Sequence, residues 1–192
     1  MPRLVAFNQV TLDGYFAGPG GDIGWAHQTQ PDAEWNEFVA GNANAGGVLL
    51  FGRVTYQMMA SFWPTPAAIE NLPSLARQMN ELSKIVFSRT LDGASVASSW
   101  SNTRLAQGDL VAEIRKLKNE PGKDMAILGS GSIVAQLAAV GLIDEFQIVV
   151  NPIVLGQGRT MFDGVAHALP MRLVKSRVFG NGNVLLCYEP AA

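Results

Sequence analysis

Apolar residues along this chain fall into short unbroken runs separated by stretches of helical spacing, the pattern of strands alternating with helices. Leu4 to Thr11 predicts a first strand, after which Asp13-Gly14 opens a glycine-rich loop through Gly18-Pro19-Gly20-Gly21 to Asp22, long enough to be mobile. Trp35, Phe38 and Val39 recur at helical spacing within Ala33 to Ala43, and Val48-Leu49-Leu50-Phe51 follows as a strand apolar enough to be buried on both faces. Thr55 to Ser61 predicts a helix stopped near Trp63-Pro64, and Pro64 to Pro73 a surface connection. Leu75 to Leu82 predicts a helix, Ile85-Val86-Phe87 a strand, Leu91-Asp92-Gly93 a turn, and a short extended segment precedes Asp109. Leu110, Ile114 and Leu117 recur at i, i+4 and i+7, with Lys116 and Lys118 where cations suit a helix C-terminus. Pro121-Gly122 ends that helix, Met125 to Leu128 is another buried strand, and Ser132 is placed to cap a helix carrying Ile133, Leu137 and Val140 before Gly141.

The alternation then stops. Phe146 to Val150, Met171 to Val174 and Val184 to Tyr188 are strands without helices between them, and Asn181-Gly182 is a hairpin signal. The reading is an open α/β sheet, parallel in its first part and closed by a C-terminal antiparallel hairpin. With no internal repeat and no low-complexity linker, residues 1–192 are expected to form a single domain.

Composition narrows the function. The 192 residues are 48% hydrophobic and 16% charged with a formal net charge of −2, which suits a compact globule. The scattered basic residues form no stripe for a nucleic-acid backbone, so nucleic acid is not an expected partner. No stretch reaches the roughly 20 apolar residues of a membrane helix, and the N-terminus enters a strand directly, without a signal-type run. The single cysteine, Cys187, sits in an apolar run and reads as a buried small hydrophobe, and a cytoplasmic location is expected. His27 and His167 stand apart without metal-ligand spacing, and there is no G-x-S-x-G elbow, so neither metal nor covalent catalysis is expected.

Candidate chemistry gathers at strand ends. Gly129-Ser130-Gly131-Ser132 with Ile133 lies at a strand-to-helix junction, where glycine lets a ligand approach and a helix N-terminus attracts an anion, or where a tight turn simply aids packing. Gly52-Arg53-Val54-Thr55 lies at another, offering a guanidinium for phosphate and a hydroxyl beside a helix start. Ser88-Arg89-Thr90 repeats the theme after a third strand, and two arginines favour NADP over NAD. The turn Leu155-Gly156-Gln157-Gly158-Arg159 either covers a cofactor or only connects strands. What remains is hydride chemistry, with Asp13, Asp22 and Asp32 as candidates for proton handling. Asp13 has turn former, and Asp32 helix N-cap, as its alternative. Trp25 and Trp35 either line a pocket for a planar ring or belong to the core.

Thr11-Leu12-Asp13-Gly14, Gly52 to Tyr56, Lys84 to Leu91, Gly129 to Ser132 and Pro152 to Gly158 occur in an order that resembles the dihydrofolate reductase-like superfamily. The set is most similar to the reductase (C-terminal) domain of the bifunctional riboflavin-biosynthesis deaminase-reductase and its free-standing relatives. The resemblance implies a three-layer αβα fold with a mostly parallel mixed sheet, a homodimer, and NADPH as cofactor. It places Gly52, Arg53, Thr55, Ser88 and Arg89 on the phosphate and adenosine side and Gly129, Ser130, Gly131, Ser132 and Ile133 against the pyrophosphate. Asp13 would lie beside the substrate and nicotinamide, and Asp32 would match the helix carboxylate that protonates a pterin. The chain carries Tyr15-Phe16 where the riboflavin domain has a basic residue, and Gln57 where free-standing relatives often have Glu. The expected activity is NADPH-dependent reduction of a small heterocycle, most like 5-amino-6-(5-phosphoribosylamino)uracil. The alternatives are reduction of a dihydrofolate, a pterin or another small molecule, and a non-catalytic NADPH-binding module.

Overall fold

The computed structural model describes residues 1–27, 30–43 and 47–191. Its contacts gather into two compact units, one of Met1–Arg3 and Val39–Ser130, the other of Leu4–Phe38 and Gly131–Ala192. In chain order the strands are β1 (Leu4–Thr11), β2 (Tyr15–Ala17), β3 (Val48–Gly52), β4 (Ser83–Phe87), β5 (Thr103–Ala106), β6 (Met125–Leu128), β7 (Glu145–Asn151), β8 (Arg159–Thr160), β9 (Met171–Val178) and β10 (Val184–Pro190). The helices are α1 (Ala33–Ala43), α2 (Arg53–Ala60), α3 (Pro66–Asn71), α4 (Pro73–Glu81), α5 (Gly93–Ser99), α6 (Leu110–Asn119) and α7 (Gly131–Ala139).

In the first unit β5, β4, β3 and β6 lie side by side in that order, all pairings parallel. Parallel strands buried on both faces must be continuously apolar, which is why Val48 to Phe51 and Met125 to Leu128 read so cleanly. Leu49, Phe51, Tyr56, Met79, Val86, Val96 and Trp100 form the core here. The Trp100 ring is tilted against Phe51 with centroids 5.8 Å apart and donates its indole N–H to Asn80 at 2.6 Å, and the Tyr56 hydroxyl donates to the Val96 carbonyl at 2.8 Å. Lys84, only 1% exposed, points its ammonium at the carbonyls of Asn80, Leu82 and Ser101 and lies 4.5 Å from the Trp100 ring. Burial pushes this amine down to about 8, while the carbonyls and the indole face accept its charge.

In the second unit β1 runs parallel to β7, β7 antiparallel to β10, and β10 antiparallel to β9. The hairpin turns at Gly182, whose φ of 86° suits the predicted Asn-Gly signal. Trp35, Phe38 and Phe179 pack as an aromatic cluster at the start of α1, with Trp35 edge-on to Phe179 at 5.1 Å. Cys187 is buried, and burial pushes its thiol up, as expected of a core cysteine.

Four expectations are corrected. The stretch from Pro64 to Pro73 is not a bare connection, because Pro66 and Pro73 open α3 and α4, where a missing N–H costs nothing. Leu91-Asp92-Gly93 is not only a turn, because Asp92 accepts from the Ser95 amide at 2.8 Å and caps α5. Ser132 does not cap α7, which already begins at Gly131. The loop after Asp13-Gly14 is not free, because β2 within it pairs antiparallel with β8. Gly158 makes that approach possible, since a Cβ there would lie 2.3 Å from the Ala17 carbonyl oxygen.

Candidate functional site

The parallel register of the first unit aligns strand ends. Gly52 pairs with Phe87 and Leu50 with Ile127, so Arg53, Ser88 and Gly129 follow three neighbouring strands at one edge, the carboxyl edge where open α/β sheets bind ligands. Ser130 links two of them, since its Oγ accepts from the Gly52 amide at 2.9 Å and its own amide donates to Thr55 Oγ1 at 3.2 Å. Gly129 and Ser130 hold left-handed backbone with φ of 68° and 56°, which costs the serine and not the glycine. A Cβ on Gly129 would come within 3.2 Å of Thr55 Cγ2, so the junction closes tightly only around glycine.

At this edge the arginines remain available. Arg53 is exposed and donates only to the neutral Gln57, at 3.1 Å, and Arg89 is exposed beside it on the next strand end. Among the described residues no ion pair engages either guanidinium. Ser88 shapes the turn that presents Arg89, its Oγ accepting from the amides of Thr90 at 3.2 Å and Leu91 at 3.1 Å. The edge thus offers two fork-shaped cations above a rigid ledge, an arrangement suited to phosphate. Gly131, Ser132 and Ile133 form the first turn of α7 in the second unit, with Ser132 exposed and Ile133 in the core.

The carboxylates of the second unit are engaged. Asp13 accepts from the Thr11 hydroxyl at 2.5 Å and from the amides of Leu155 at 3.1 Å and Gly156 at 2.7 Å. The Thr11 hydroxyl, then the Gly156 and Leu155 amides, hold its carboxyl below the ordinary value. Asp13 therefore latches the Leu155 to Arg159 turn, a tie across more than 140 residues that local spacing could not reveal. Asp32 is the N-cap of α1, accepting from the Trp35 amide at 2.9 Å, and also binds the Asn181 amide at 2.9 Å. The Trp35 amide above all lowers its carboxyl, with Asn181 adding to it. Trp25 is buried and donates its indole N–H to the Asp22 carbonyl at 3.2 Å. Gln9, Gln147 and Asn151 were not singled out by sequence, yet each keeps a buried carbonyl oxygen without a partner.

Among the described residues no group of His, Cys, Asp or Glu is placed to hold a metal, and no helix is long and apolar enough to cross a membrane.

The sheet order and strand-end junctions define a dihydrofolate reductase-like α/β fold. The chain belongs to the family of the RibD C-terminal domain, whose model matches residues 2–185. It is 28% identical over 187 residues to the uncharacterized protein YyaP of Bacillus subtilis, covering 97% of this chain and 94% of that one. A candidate riboflavin biosynthesis protein from Shewanella sp. PV-4 superposes with a TM-score of 0.78 at 22% identity, covering 99% of each chain. Dihydrofolate reductase from Enterococcus faecalis, solved with NADP(H) and RAB-propyl, superposes with a TM-score of 0.64 at 14% identity, covering 99% of this chain and 97% of that one.

Proposed function

We propose that this protein is an NADPH-dependent reductase of a small heterocyclic substrate, most like 5-amino-6-(5-phosphoribosylamino)uracil. The observation that carries the reading is the edge where Arg53 and Arg89 stand unpaired by carboxylates over the Gly52, Thr55, Gly129 and Ser130 ledge. Membership in the RibD C-terminal domain family and likeness to a reductase solved with NADP(H) support it. Bound NADPH would supply the hydride. Arg53 and Arg89 would grip its phosphates, and Ser88 would fix the turn carrying Arg89.

On the substrate side the reading assigns Asp13, Trp25 and Asp32. Asp32, held as an anion by backbone amides, orients a substrate N–H and takes on an acid's role only once ligand burial raises its pKa. Asp13 keeps the Leu155 to Arg159 turn closed beside the substrate. The reading also takes the protein to be cytoplasmic and a homodimer, supported for the latter by the exposed apolar residues Leu173 and Val178 on strand β9.

The test is substrate-dependent NADPH oxidation across a panel of pyrimidines and pterins. Turnover with a ribosylaminopyrimidine is expected; turnover with pterins alone would replace the substrate, and NADPH binding without turnover on any of them would replace the enzyme with a binding module.

A further inference from the structure

The strand-end edge of the first unit is rich in donors. Arg53 opens α2, and no acidic residue occurs along Arg53–Ala60. Ser130 Oγ accepts from the Gly52 amide at 2.9 Å and Thr55 Oγ1 from the Ser130 amide at 3.2 Å, so each hydroxyl, having accepted an N–H, keeps its own proton to give. Among the described residues no group takes either proton.

Arg53 meets a single acceptor among the described residues, Oε1 of Gln57, at 3.1 Å across one turn of α2. A guanidinium only donates, so the contact sets the Gln57 amide with its oxygen toward Arg53. Both side chains are exposed. Four residues along a helix is also where a glutamate would form an ion pair with the arginine. Such an exposed pair adds little to the fold, yet its carboxylate would compete with an incoming phosphate for the same donors. An amide oxygen at that place orients the fork and leaves its charge undiminished.

We propose that Gln57 is a positioning residue that sets the affinity of this edge for a phosphorylated ligand, orienting Arg53 without neutralising it. The inference rests on the proposed reading of Arg53 as a ligand of the NADPH phosphates, and it gives Gln57 a role exerted through Arg53 and not on the cofactor. The whole protein is titrated with NADPH, read by its fluorescence, at about 20 mM and about 0.5 M salt, where the screening length falls from about 20 Å to about 4 Å. Against the wild type at the same salt, Gln57→Glu is expected to bind about 5-fold more weakly at low salt and less than about 2-fold more weakly at high salt, as the added charge is screened. Gln57→Leu frees the guanidinium without opposing it, and is expected to bind about 3-fold more weakly at both, the cost of ordering one side chain. In an Arg53→Ala background, Gln57→Glu is expected to cost less than about 2-fold, because the group it acts on is gone. Gln57 is exposed and contacts only Arg53, so thermal unfolding of both variants should match the wild type. A Gln57→Glu deficit that is absent at low salt or undiminished at high salt, or a Gln57→Leu variant that binds as the wild type does, would overturn the inference. So would a deficit that survives in the Arg53→Ala background, since the carboxylate would then repel the cofactor directly. Absence of NADPH binding by the wild type would instead overturn the reductase reading itself, a result that none of the variants can mimic.

Discussion

At the strand ends of the first unit the cations are available and the polar groups beneath them are satisfied; in the second unit the carboxylates are engaged and neutral oxygens are left over. Arg53 and Arg89 stand exposed above a Ser130 whose hydroxyl and amide are both bonded. Asp13 and Asp32, by contrast, are tied to backbone amides, while the side-chain oxygens of Gln9, Gln147 and Asn151 are buried without a hydrogen-bond partner. The difference teaches that formal charge is a poor guide to recognition. A charged side chain that closes a turn or caps a helix is occupied, and one that meets only a neutral amide, as Arg53 does, is the group still free for a ligand.

The largest expected effect tests whether the first unit's polar interior is as complete as this contrast requires. Lys84→Met keeps the length of the side chain but takes the ammonium from the Leu82 carbonyl and leaves those of Asn80 and Ser101 to the side chains of Asn102, Ser101 and Thr103, so unfolding in urea should show a loss of about 1.5–3 kcal/mol. A loss under about 0.5 kcal/mol, the ordinary range for an inconsequential surface change, would show that water replaces the ammonium and that the interior is not closed. The same residue gives a pH signature. Its amine titrates near 8 when folded against an ordinary 10.5, so the unfolded chain binds more protons across that window. Wild-type stability should therefore rise from about pH 8 to 10.5 relative to Lys84→Met, and a flat difference would mean that the carbonyls and the Trp100 ring hold the proton against burial.

Next in size are the free cations. Arg53→Ala and Arg89→Ala should each weaken NADPH binding by about 10- to 100-fold, the worth of a charge-assisted hydrogen bond to phosphate, with Tm unchanged because neither guanidinium joins an ion pair in the fold. NADPH fluorescence titration reads the first and thermal unfolding the second. If both variants bind NADPH as the wild type does, the strand-end edge is not the phosphate site, and the contrast between the units loses its functional meaning.

How much of this was legible in sequence follows from the range of the interactions involved. The strands were, because parallel pairing demands unbroken apolar runs such as Val48 to Phe51. Caps were partly legible, since Asp32, with helix N-cap among its readings, acts on an amide three residues away. α3 and α5 were missed because each is shorter than three turns, with a single buried residue and no repeating stripe, so that Thr65 and Asp92 are their main signals. At the edge of the first unit, Gly52, Arg53 and Gly129 could be found because the same chemistry recurs at three strand ends. The role of Asp13 and the acceptors around Gln9 were not legible, because both depend on which residue of β7 or of the turn after it lies opposite β1. That register is a property of the assembled sheet and not of any local window.

The smallest effect, and the one that sharpens the second unit's side of the contrast, concerns Asp13. If its carboxylate is a latch, Asp13→Asn should leave the global fold intact and speed hydrogen exchange at the Leu155 and Gly156 amides, since a neutral amide oxygen accepts less strongly than a carboxylate. The pH dependence has a definite sign. The Thr11 hydroxyl and the two amides depress the folded pKa below the ordinary 3.8, so the latch is fully present above that value and is lost as pH falls through the depressed one. Exchange at Gly156, corrected for its intrinsic acid dependence, should thus stay slow to below pH 3.8 in the wild type and be fast throughout in the variant. Equal exchange in both proteins would mean that the β2 and β8 pairing alone holds the turn, freeing the Asp13 carboxylate for the substrate and making the second unit's edge as open to charge chemistry as the first's.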